Sequence, residues 1–156
     1  RNRKMQNLIT ADSDIADVHV FDYRYTSGSG DSSTTHYLSI VAVESQGLSI
    51  PRFTLRPEMF LDNIGAMLGL QDIDFPDHPA FSKAFVLKGD NEEAIRTLFD
   101  KSILDFFATQ KKIYVEAAYG VFIYYTPKRK KPQQIREYMK EGFAVYAVIT
   151  ERLSHD

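Results

Sequence analysis

The sequence predicts an α+β domain: a mainly antiparallel sheet of about six strands, in the order βββ-α-β-α-ββ-α, with two or three packed helices. Three observations carry this. The chain has 156 residues, about one domain's length, with no repeat and no internal linker. Several stretches alternate apolar and polar side chains with the period of two that a half-buried strand requires. Others repeat apolar residues at three and four positions, the spacing of one helix face.

VHVFDYRYT (18–26) and THYLSIVAVES (35–45) alternate and are rich in β-formers, so they read as the first two strands. In the second, Tyr37, Ser39, Val41 and Val43 share one side, and Leu38, Ile40 and Ala42 the other. TSGSGDSST between them predicts a long, mobile hairpin loop, because Gly28 and Gly30 supply positive φ and Ser and Asp bond to nearby backbone. LSIPRFTL (48–55) reads as a third strand, with Pro51 at an edge or bulge because it has no N–H for a ladder.

RPEMFLDNIGAMLG (56–69) predicts a helix. Pro57 fits its first position and Gly69 its end, and Phe60, Ile64, Met67 and Leu68 make the apolar stripe. FSKAFVLKG (81–89) reads as a fourth strand. The next helix begins with Asp90 as cap and Glu93 three residues later. Ile95, Leu98, Phe99, Ile103, Phe106 and Phe107 follow as its stripe, with a kink or restart at Asp100. KIYVEAAYG and VFIYYTP pair as strands five and six across Gly120. Pro132 opens a last helix whose apolar face is Ile135, Tyr138, Met139, Phe143, Tyr146, Ile149 and Leu153. Residues 18–153 are thus expected as one domain, preceded by a flank at 1–17.

The totals exclude several chemistries. There is no cysteine, which removes disulfides, zinc–thiolate sites, iron–sulfur clusters and thiol nucleophiles. A net charge of −2 supplies no global field for nucleic acid, which is not expected as a partner. The four histidines show no paired metal spacing. GSGDS (28–32) lacks the order of a nucleophile elbow, and no Gly-Lys-Ser/Thr follows to make a phosphate loop. No cofactor is implied.

Two clusters remain as candidate sites. QDIDFPDHPAF (71–81) places Asp72, Asp74, Asp77 and His78 within eight positions, a possible ligand or metal set. As a calcium loop counted from Asp72 it fails, because positions six and twelve hold Asp77 and Lys83 in place of Gly and Glu. The mechanical alternative has Ile73 and Phe75 pinning the segment while the acids face water and Pro76 and Pro79 stiffen it. The second cluster is Lys128, Arg129, Lys130 and Lys131, beside the tyrosines of strand six. It suits an anionic lipid surface or an acidic partner, against a solvated turn before a helix.

The phrases FDYRYTSGSG (21–30), PRFTLRPEMF (51–60) and GLQDIDFPDHPAFSKAFVLKGDNEEAIRTLF (69–99) together resemble an uncharacterised bacterial family. Its members are short proteins with one or two N-terminal transmembrane helices before a soluble domain. The resemblance covers roughly residues 18–110, and only the strand–strand–helix pattern beyond. It carries over no catalytic or binding residue. It implies a membrane-associated protein whose domain faces the cytoplasm, with Arg1, Arg3 and Lys4 as the cytoplasmic flank of an anchor upstream. A trimmed start with an ordinary basic end is the alternative. The expected function is a non-catalytic binding or scaffolding domain with an unknown protein partner. The alternatives are a metal-dependent hydrolase built on the 72–78 loop and an anionic-lipid-binding regulatory domain built on Lys128–Lys131.

Overall fold

The computed structural model describes residues 3–59 and 69–154. The expected helix stripe of Phe60, Ile64, Met67 and Leu68 lies outside these residues, as do Arg1 and His155.

Among the described residues the fold is α+β, with one antiparallel sheet of eight strands rather than about six, in the order β1-β2-β3-β8-β7-β4-β6-β5. The strands are β1 (Arg3–Ala11), β2 (Asp17–Ser27), β3 (Thr34–Glu44), β4 (Phe53–Pro57), β5 (Gln71–Asp72), β6 (Phe85–Gly89), β7 (Tyr114–Ala118) and β8 (Val121–Tyr125). Four α-helices are described: α1 (Pro79–Ala84), α2 (Glu92–Leu98), α3 (Lys101–Thr109) and α4 (Ile135–Leu153). Among the described residues no helix is long and apolar enough to cross a membrane.

The two additional strands are β1, within the stretch expected as a flank, and the two-residue β5. All nine residues of β1 are exposed, so it has no buried face to write an alternating pattern. The loop between β2 and β3 is shorter than expected, since Thr26, Ser27 and Thr34 lie in the ladder. β4 starts only at Phe53, leaving Pro51 ahead of it, and Pro57 closes this strand rather than opening a helix.

The segment expected as strand 81–89 divides. Pro79 and buried Phe81 begin the short α1, and the Ser82 hydroxyl donates to the Phe75 carbonyl at 3.0 Å. Only Phe85–Gly89 pairs in the sheet. The cap of α2 is Asn91, whose side chain accepts from the Ala94 N–H at 3.1 Å, so the box expected between Asp90 and Glu93 does not form. The restart at Asp100 is present: its carboxylate caps α3 by accepting from the Ile103 N–H at 3.1 Å.

β7 and β8 join through a two-residue turn with positive φ at both Tyr119 (+53°) and Gly120 (+90°). That turn matches the right-handed twist of the strands it connects.

The helices pack on one sheet face. Val18, Val20, Val41, Val43, Phe122 and Tyr124 of the sheet share a core with Ile95, Phe99, Phe107, Tyr138, Val145 and Ile149 of the helical layer. Phe53, Phe81, Phe85, Phe99 and Phe107 form a chain of ring contacts inside it. The opposite face carries a smaller cluster of Leu38, Ile40, Tyr114 and Tyr125.

Candidate functional site

Helix α4 carries two apolar stripes. Tyr138, Gly142, Val145 and Ile149 are buried. Gly142 permits a close approach: a Cβ there would lie 3.1 Å from both Val41 and Tyr124. This docks α4 over β3 and β8. The second stripe is Ile135, Met139 and Phe143, at i, i+4 and i+8. It shares a pocket with Ile9 of β1 and Val20 of β2, and Ile135 and Met139 also pack partly against the core.

The result is a groove of about 1010 Å³ between α4 and the β1–β2 edge. Its apolar lining includes Ile9, Val20, Ile135, Met139 and Phe143, with Ile9 54% and Phe143 36% exposed. Asn7, Asp22, Arg129, Lys130, Arg136 and Lys140 supply the polar lining.

One end of the groove is built around Asp22. The β1–β2 register shifts between Gln6 and Ile9, and Asn7 takes φ +54° at this bulge. A bulge re-aims side chains, and here the Asn7 amide donates to Asp22 Oδ2 at 2.8 Å. Arg129 reaches the same oxygen through Nε at 2.8 Å and Nη2 at 2.7 Å. The Ser39 hydroxyl donates to Asp22 Oδ1 at 2.8 Å. Burial alone would raise the Asp22 carboxyl, but these bonds from Asn7, Ser39 and Arg129 outweigh it and hold the group below its ordinary value.

The network continues into the helical layer. Ser39 Oγ accepts from the Lys130 backbone N–H at 2.9 Å. The Tyr138 hydroxyl donates to the Ser39 carbonyl at 2.7 Å and accepts from the Thr126 N–H at 3.1 Å. Burial pushes this phenol up to about 12. The Lys130 ammonium lies 4.8 Å from the Tyr138 ring centroid.

Of the predicted basic cluster, Arg129 and Lys130 thus line the groove, with Arg129 neutralised by Asp22. Lys128 is exposed outside it, and the Lys131 N–H donates to the Gln134 side chain at the start of the turn into α4. Arg136 and Lys140, one helical turn apart, add positive charge along the wall. Lys140 also lies 3.4 Å from the exposed Glu137.

The acidic loop is placed elsewhere. Ile73 and Phe75 are buried; Phe75 packs edge-on against Phe81 at 5.7 Å, and Arg96 lies over its ring at 5.1 Å. Asp72 pairs with Lys88 at 2.9 Å, and the Asp74 carbonyl accepts from Arg96 at 3.0 Å. Asp77 and His78 border a separate hollow with Lys101 and Asp105. Among the described residues no three His, Asp or Glu side chains gather to hold a metal. His36 bonds to Ser27 at 2.8 Å, while the Ser32 hydroxyl donates to the Ser29 carbonyl.

Sequence reasoning missed Asn7, Ile9, Asp22, Arg136 and Lys140. One signal pointed toward them. The apolar face read for α4 is too wide for a single packing stripe, and its Ile135–Met139–Phe143 edge has no assigned partner. No protein-family model, curated protein or solved structure matches the chain.

Proposed function

We propose that this domain is a non-catalytic binding module whose partner occupies the groove between α4 and the β1–β2 edge. The observation that carries this reading is the pairing of an apolar floor with a cationic wall. Ile9 and Phe143 offer exposed apolar surface beside the partly buried Met139, and Arg136 and Lys140 border it without a carboxylate of the lining set against them. The one carboxylate of the described lining, Asp22, is taken up by Asn7, Ser39 and Arg129, which favours recognition over turnover. The reading keeps the domain at the cytoplasmic face of a membrane, as the family resemblance implies, where a groove of this kind would hold a partner near the bilayer.

The test is site-specific photo-crosslinking of the full-length protein in cells, with benzoylphenylalanine at Phe143 and, as a control, at the exposed turn residue Tyr119. A discrete adduct from position 143 alone, lost on Arg136→Glu/Lys140→Glu, is expected. Equal labelling from both positions, or none from 143, overturns the proposal.

A further inference from the structure

Resting on that reading, we infer that the groove's occupant is an acidic amphipathic helix of a partner protein. Two independent features converge on it. The first is shape. In the helical layer α4 docks on β3 and β8, and beyond it the sheet continues through β2 to β1, which is exposed along its whole length. Ile135, Met139 and Phe143 form an i±4 ridge along α4, the surface feature that packs into the groove of a neighbouring helix. Nine residues span this stripe, about 12 Å at helical rise, which matches two to three turns of an incoming helix. Such a helix would lie beside α4 with Ile9 beneath it and its own apolar residues at i, i+3, i+4 and i+7.

The second feature is charge. Four cations and one carboxylate line the groove, and the carboxylate, Asp22, is held by Arg129. Arg136 and Lys140 stand at i and i+4 on the same wall. An incoming helix with Glu or Asp at matching i, i+4 positions places opposite charges against both. A second copy of this chain is disfavoured as occupant, because a two-fold pairing through α4 would bring Arg136 and Lys140 against their own copies.

The test selects from a phage-displayed library of 16-residue helical peptides. Leu or Ile is fixed at the apolar positions, and the flanking positions are randomised between Glu and Lys. Enrichment of Glu-flanked sequences on the immobilised domain is expected. The best clone, made as a fluorescein-labelled peptide, should bind at least about tenfold more weakly to Arg136→Glu/Lys140→Glu and to Phe143→Glu. The melting transitions of these surface variants should stay close to wild type.

Enrichment of Lys-flanked peptides, no enrichment, or binding indifferent to positions 136 and 140 overturns the inference. So does co-flotation with phosphatidylglycerol vesicles that depends on the same two residues, which would make lipid the occupant. Self-association that both charge reversals abolish would make it a second copy. If the Phe143 crosslink persists while the helical library yields nothing, the groove remains a binding surface and only its helical occupant falls.

Discussion

Arg129 and Asp22 stand 107 residues apart in sequence and meet through two guanidinium nitrogens on one carboxylate oxygen, at 2.7 and 2.8 Å. The pair ties β2 to the connection that leads into α4. It thereby fixes the spacing of the groove's two walls at one end. Asp22 is largely buried and accepts from Asn7 and Ser39 as well, so the carboxylate is satisfied on both oxygens.

Replacing Asp22 with Asn should therefore destabilise the fold by about 1.5–3 kcal/mol at neutral pH, the scale of a lost hydrogen bond to a charged group. The pH dependence follows from the lowered carboxyl. Its stabilisation is fully present above the unfolded value, about 3.9, and is lost as pH falls through the lower folded value. Urea denaturation from pH 7 to 2.5 should show the gap between wild type and Asp22→Asn shrinking at the acid end. A constant gap would separate the effect from ionisation.

Glu116 presents the opposite sign. It lies on the sheet face away from the helices, where the Tyr125 hydroxyl donates to its Oε1 at 2.9 Å. Burial raises its carboxyl, and the bond from Tyr125 offsets this only in part. Its contribution to stability should be fully present below the unfolded value, about 4.3, and be lost as pH rises through the folded value. Glu116→Gln keeps an acceptor for Tyr125 and should remove that decline. The variant is expected to be at least as stable as wild type at pH 8. A clear loss there would mean that the ionised carboxylate is favoured in the fold.

The acidic loop should owe its stability to its apolar residues. Phe75→Ala removes a buried ring that touches Phe81 and Arg96 and should cost about 3–5 kcal/mol. Asp72→Asn/Asp74→Asn should change stability by no more than about 1 kcal/mol, since the Asp72–Lys88 pair is well exposed. Thermal shifts with calcium, manganese and zinc should be alike for wild type and the double variant. Metal stabilisation confined to wild type would establish the loop as an ion site.

The β7–β8 turn offers a paired test of backbone geometry. Tyr119 is 82% exposed at φ +53°, so Tyr119→Asn loses little packing and gains a residue suited to that conformation. It should raise stability by a few tenths of a kcal/mol. Gly120→Ala should lower it by more than about 1–2 kcal/mol. A Cβ there would lie 2.5 Å from the Ser45 carbonyl oxygen, and φ is +90°. Chemical denaturation of both variants measures the difference directly.

Much of the fold was legible because its signals are local. Alternation in 18–26 and 35–45 marked β2 and β3, Gly120 marked the hairpin, and Asp100 marked the restart between α2 and α3. The errors were local as well. Asp90 and Asn91 are both good caps, and backbone geometry chose the second. In 81–89 the β-forming residues hid a short helix started by Pro79. β1 was illegible because a strand exposed along its whole length carries no burial pattern.

By itself, the sequence determined the α+β class, the identity of most elements and the lack of thiol chemistry. Each depends on composition or on neighbours within a few positions. Only the tertiary structure decided the sheet order, the face the helices cover and the groove. Asn7, Asp22, Arg129 and Lys140 come from distant segments, and no residue's local preference records which strand ends the sheet or where α4 comes to rest. That choice was made by packing, when Gly142 let α4 settle on Val41 and Tyr124 while β1 stayed exposed along its whole length.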